Sequence, residues 1–184
     1  MSTPTTDSIR SQIRQAAIYG LKNRIIEGGT AIRYSDAGNT TVSSVGYYNS
    51  FGDMVFDPPK SWEQIPQFPA CNVSMEEEVC ANGANVQLDQ NQALLHNGFR
   101  LRMDCFLNDD NDPALAQDKI LHDVQKYFGI NYYIPDSTGA ATAFNCYYES
   151  SDPFGIDKVK PNCGITIYYK VWYRQQLINP AVSG

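Results

Sequence analysis

The feature that most constrains this chain is a strict two-residue alternation between Phe99 and Leu107. Phe99, Leu101, Met103, Cys105 and Leu107 fall on one side of an extended backbone, with Arg100, Arg102 and Asp104 on the other. Successive side chains of a strand point to opposite faces, so this pattern describes a strand with one face on a core and the other in water. One-sided burial of that kind belongs to antiparallel sheets. A second alternation runs from Ile165 to Arg174. Ile165, Ile167, Tyr169, Val171 and Tyr173 face one side, and Thr166, Tyr168, Lys170, Trp172 and Arg174 the other. Both sets are bulky, which leaves room for a second surface to cover the outer one. Ala70 to Val79 and Thr142 to Tyr148 read as further strands, the first closed by the turn-rich Asn82-Gly83-Ala84-Asn85.

Two segments carry the other period. Thr6, Asp7 and Ser8 can each cap a helix, and Ile9, Ile13, Ala16, Ala17, Leu21 and Ile25 then recur every three or four residues. The spacing predicts a helix over about 7–27, ended by Gly28 and Gly29. Further on, Asp112 as N-cap and Pro113 at the first helical position open a second helix. It carries Leu115, Ala116, Ile120, Leu121, Val124, Tyr127 and Phe128 on one side and stops at Gly129. The order predicts an α+β fold, a mostly antiparallel sheet with two amphipathic helices packed on one face. At 184 residues the chain is expected to form a single domain over 1–184, with a core that stands without staples. The end from Asn179 to Gly184 reads as a tail.

Residues 30–68 follow neither period. They hold Gly38, Gly46, Gly52, Pro58-Pro59 and Pro66 among large apolar groups. So long a stretch without regular structure is uncommon inside a compact domain. It reads as an extended, aromatic-rich arm or hairpin, and Tyr47, Tyr48, Phe51, Met54, Phe56 and Trp62 are the candidate subunit or partner interface. On this reading residues 45–60 are removable without loss of the fold. The other reading is an irregular cover whose aromatics fold back on the core. The twelve Tyr admit the same two readings, wet interface or aromatic-rich sheet.

The remaining composition mostly excludes. The net charge is −6 and the basic residues are scattered, unlike the basic stripe of a nucleic-acid-binding surface. Cys71, Cys80, Cys105, Cys146 and Cys163 are odd in number and form no C-x-x-C pair, and the first residues do not read as a secretion signal. They are expected as buried thiols in a reducing compartment. No apolar run approaches a membrane span. His96 and His122 have no nucleophile motif around them, and the cysteines and histidines are too scattered for zinc. Asp109-Asp110-Asn111-Asp112 lacks the glycine and glutamate of a calcium loop, and reads as a turn with a helix cap. Glu76-Glu77-Glu78 reads as a charged sheet edge rather than a catalytic group. No phosphate-binding glycine motif occurs. Neither catalytic, cofactor-binding nor metal-binding residues are expected, and no enzyme.

The order of elements, with local matches, resembles the tail terminator proteins of long-tailed bacteriophages, the ring proteins of the neck. The run Ile65-Pro66-Gln67-Phe68-Pro69-Ala70-Cys71-Asn72-Val73 followed by Glu76-Glu77-Glu78 is similar to the family's proline-led strand with an acidic end. Leu101 to Leu107 feeding Ile120-Leu121-His122-Asp123-Val124, and the Tyr168-Tyr169-Lys170-Val171-Trp172-Tyr173 stretch, match its later strand, helix and aromatic strand. The resemblance implies a structural virion protein, assembled in the host cytoplasm, whose homo-hexameric ring caps the tail tube and ends tail growth. Its implied partners are its own copies, the tail tube protein, the head-side connector and, in a contractile tail, the sheath protein. DNA would pass through the ring without specific binding. The neighbouring readings are another head–tail adaptor (head-closure, tail-completion or tube-like ring protein) and, in a different class, a monomeric small-ligand or glycan-binding module.

Overall fold

A computed structural model describes residues 8–23, 25–26, 30–33, 40–42, 51–80, 87–89, 92–108, 112–155 and 162–176. Its elements run α1 (Ile9–Asn23), β1 (Ile25–Ile26), β2 (Thr30–Arg33), β3 (Thr40–Val42), β4 (Val55–Phe56), a 3₁₀ turn (Trp62–Gln64), β5 (Ala70–Cys80), β6 (Gln87–Asp89), β7 (Gln92–Asn108), α2 (Pro113–Ile130), β8 (Asn145–Phe154) and β9 (Asn162–Gln176). The main sheet has the order β4-β5-β7-β9-β8, with β6 paired to β7, and β1-β2-β3 form a small second sheet. Every pairing is antiparallel except β4 with β5. The fold is α+β, as the two periodicities predict.

Both alternating segments are strands with the expected faces. Phe99, Leu101, Met103, Cys105 and Leu107 of β7 are buried beside Ile165, Ile167, Tyr169, Val171 and Tyr173 of β9. Cys71 and Val73 of β5 extend this inner face, and Ile13, Ala17 and Leu21 of α1 and Ile120, Val124 and Phe128 of α2 join the same core. Both helices therefore pack on one face of the sheet. They meet where Gly20 of α1 lies against the Tyr127 hydroxyl of α2, an approach closed to any side chain.

α1 is shorter than its periodicity. Ile25 and Ile26 pair with Ala31 and Thr30, and the helix ends at Asn23, whose side-chain amide donates to Tyr19 O at 2.9 Å. Two consecutive β-branched residues favour the extended state, and their pairing settles the competition. α2 opens as predicted. Asp112 accepts from Leu115 N at 3.0 Å with Pro113 following, and at the other end the Asn131 side chain donates to Tyr127 O.

Part of 30–68 is not a free arm. Phe51 and Val55 are core residues, at 2% and 3% exposure. β4 pairs with β5 at Cys71 and Asn72. The Asn72 side chain then clamps the loop that follows, accepting from Lys60 N at 3.0 Å and donating to Lys60 O at 2.8 Å. Arg14 of α1 reaches Asp57 at 3.2 Å. The expectation that residues 45–60 are dispensable is thereby corrected for 51–60, because Phe51 and Val55 belong to the core that α1 and the sheet share. No helix among the described residues is long and apolar enough to cross a membrane.

Candidate interaction surface

Of the candidate interface residues, the four that are described do not form one patch. Tyr47 and Tyr48 lie outside the described residues. Phe51 points into the core, and half-buried Met54 has its backbone engaged, its carbonyl accepting from Cys71 N at 2.8 Å. Phe56 is half-buried with the Lys60 ammonium 4.1 Å from its ring centre. Trp62 sits elsewhere, on the outer face of the sheet, stacked on Phe68 at 4.8 Å and edge-on to Phe106 at 5.2 Å. Phe106 in turn meets Phe154 edge-on at 5.5 Å. This aromatic row ends on Gly164, where a side chain would collide with the Phe154 ring.

Next to that row the outer face carries charge. Arg102 of β7 donates to Glu76 of β5 at 2.8 Å and to Asp104 at 2.9 Å, and Asp104 accepts from the Thr166 hydroxyl of β9 at 2.7 Å. Arg100 lies across the Tyr168 ring, 4.4 Å from its centre, and reaches Glu149 of β8 at 2.7 Å. Glu149 arrives there because the register of β8 against β9 shifts between Tyr148 and Ser150, a bulge that inserts one residue. The bonds to Glu76 and then Asp104 hold the Arg102 guanidinium above its ordinary pKa, and the bond to Glu149 does so for Arg100. Exposed pairs of this kind are individually worth about 0–1 kcal/mol. Their effect is to fix a lattice of side chains across four strands. Glu76 is thus a network residue, and the side chains of Glu77 and Glu78 lie outside the described set.

At the far end of this face Trp172 packs against Gly98, whose added Cβ would sit 2.9 Å from the ring. Lys170 stands 5.5 Å from the Trp172 ring centre, and Arg174 stands 4.2 Å from that of Phe144. The alternation predicts these side chains on a bulky outer face, but their cation–aromatic layering depends on register.

The surface that sequence reasoning missed lies around β8. Leu115, Tyr132, Phe144, Tyr147 and Tyr148 are the exposed large apolar residues among those described, and the four aromatics gather at this strand. Their exposures run from 54% for Phe144 to 39% for Tyr148. β8 is the outermost strand on its side of the sheet, ten residues long, and its outer edge pairs with no described strand. Tyr147 belongs to the outer face, opposite Lys170, and Tyr148 to the inner, opposite Tyr169. Together with Tyr132, Phe128 and Gln125 they border a groove of about 280 Å³ between the end of α2 and β8. Its floor is apolar. Burial raises the Tyr169 phenol and the Cys146 thiol well above their ordinary values, so both stay neutral.

His122 is exposed on α2, and the His96 side chain lies outside the described residues. Asp112 is a helix cap, while Asp109 to Asn111 lie outside the described residues. No cluster of His, Cys, Asp and Glu among the described residues is placed to hold a metal ion. No protein-family model matches the chain, and no curated protein matches it.

Proposed function

We propose that this chain is a ring-forming structural subunit of the phage tail terminator type, docking its β8 edge on a different surface of the next copy. The observation that carries the reading is the aromatic set Tyr132, Phe144, Tyr147 and Tyr148 wrapped around an outermost strand. Natural proteins blunt such an edge with charge or proline, or cover it. Here Pro153 blunts its far end, whereas exposed aromatics flank the first half. Aromatics are enriched and charge is depleted at interface cores, and contiguous apolar patches mark binding surfaces. A patch that meets a different patch on its neighbour generates a ring when the rotation closes. The element order on which the resemblance rests, helix, variable segment, strands, helix, strands, supports placing that ring at the tail end. In that position its partners are the tail tube, the head-side connector and, in a contractile tail, the sheath. An acidic chain of net charge −6 suits a passage that lets DNA through without holding it.

The test combines light scattering after size exclusion with electron microscopy of the purified protein. The wild-type chain is expected as a ring of six times its 20.6 kDa mass. A Phe144→Ser, Tyr147→Glu double variant, checked for fold by circular dichroism, is expected as a monomer. A wild-type monomer at every concentration would sink the ring and favour a small-ligand module using the same aromatic groove.

A further inference from the structure

We propose that Cys71 and Cys105 are a latent cross-strand disulfide site, thiols as synthesised and joined when the protein meets a small-molecule disulfide. Three observations bring them together. The two are register partners on adjacent antiparallel strands, β5 and β7. Both are fully buried, and the Cys105 Sγ lies 3.9 Å from the Cys71 Sγ. Finally, the Cys71 N–H donates to Met54 O of β4, on the side away from β7. In an antiparallel ladder the N–H and C=O of one residue point the same way, so this pair is of the non-hydrogen-bonded kind. Cα atoms there are about 4.5 Å apart, closer than in the hydrogen-bonded kind. A disulfide spans Cα separations of about 4.4–6.8 Å, so the bond requires side-chain rotation and little backbone movement.

In the described strand pairings no other cysteine stands opposite a cysteine. Cys146 opposes Val171, Cys163 opposes Leu107, and Cys80 opposes Asn97. The pair lies on the inner face, in the core it shares with α1 and with Phe51 and Val55, and Arg14 of α1 is tied to Asp57 in the loop after β4. Local opening of this cover at the sheet edge is the route by which an oxidant reaches a buried thiol. Burial first, and then the neighbouring Cys105, push the Cys71 thiol well above its ordinary value of 9.0. Closure is therefore slow at neutral pH and faster as pH rises.

With oxidised glutathione, one protein thiolate attacks the glutathione disulfide and releases one glutathione thiolate. The second protein thiolate then displaces the other glutathione. The protein loses two hydrogens, the Cys71–Cys105 bond forms, and two reduced glutathiones leave. The new bond closes a span of 34 residues and pins β5, next to the sheet edge, to the centre of the sheet.

The experiment incubates the native protein with oxidised glutathione at mildly alkaline pH, then quenches with acid, alkylates, digests and maps peptides by mass spectrometry. The expected result is one cross-linked pair, Cys71 with Cys105, and two fewer titratable thiols than the five of the reduced chain. The linked form melts at higher temperature. Arg14→Ala, which removes the α1 tie to the loop after β4, is expected to speed closure. Cys71→Ala should abolish the link and Cys146→Ala should leave it. Separate alkylation of Cys71 and Cys105 after prolonged exposure overturns the proposal. So does a link to any other cysteine, or one that forms only in denaturant.

Discussion

At the scale of single residues, three glycines decide how closely large groups approach the backbone. Gly98 and Gly164 let the Trp172 and Phe154 rings pack closely against the backbone on the outer face, and Gly20 admits the Tyr127 hydroxyl between the helices. None of these roles is written in the local sequence, because each depends on which residue the fold brings opposite, far along the chain for Gly20 and Gly98 and across a strand pair for Gly164. Gly20 even looks like a weak point in a helix, where alanine is intrinsically better by about 1 kcal/mol. Sterics outweigh that preference here, since a methyl group would collide with fully buried Tyr127. Gly20→Ala is expected to destabilise the protein by roughly 1–3 kcal/mol, the usual range for overpacking. Urea unfolding checks this. A midpoint raised by the substitution would mean that helix propensity prevails and that the two helices separate easily.

Among the elements, what was legible followed local periodicity and what was not followed long-range pairing. The alternations at Phe99–Leu107 and Ile165–Arg174 each lie within a longer strand, and Asp112-Pro113 marks the start of α2. By contrast β4 is two residues long and exists because β5 lies beside it in parallel. Its flanking loop is held by Asn72, a buried polar residue whose two bonds to Lys60 no spacing rule announces. The aromatic composition of 30–68 therefore had two physical explanations, and for Phe51 the core is the correct one. The edge aromatics of β8 escaped notice for the opposite reason. Tyr147 and Tyr148 face opposite sides of the sheet, so no alternation singled them out. The Asp112 cap can be isolated experimentally. Its side chain satisfies one amide of the first turn of α2, and Asp112→Ala should cost about 1 kcal/mol. Asp112→Asn, which keeps an acceptor, should recover most of that loss. Equal losses in both variants, measured by thermal melting, would show that the cap bond contributes little.

At the scale of the whole molecule, both helices and the sheet contribute described residues to a common core, and that sharing gives the protein a definite response to alkali. Cys71, Cys146 and Tyr169 all belong to this core, and burial is the largest influence raising each of them. Their ordinary values are 9.0 for the thiols and 10.0 for the phenol. The folded protein keeps these protons to higher pH than the unfolded chain does. When the unfolded state binds fewer protons than the folded one, stability falls as pH rises. Below pH 9 the three contributions are fully present; above it they are lost progressively as pH climbs towards the folded values. Urea midpoints measured at one protein concentration should therefore be level between neutral pH and about 8.5 and decline steadily beyond 9. Cys146→Ala should blunt the decline without abolishing it, because Cys71 and Tyr169 still titrate. A midpoint that stays level to pH 11 would contradict the picture, since it would require water to reach these groups in the folded state.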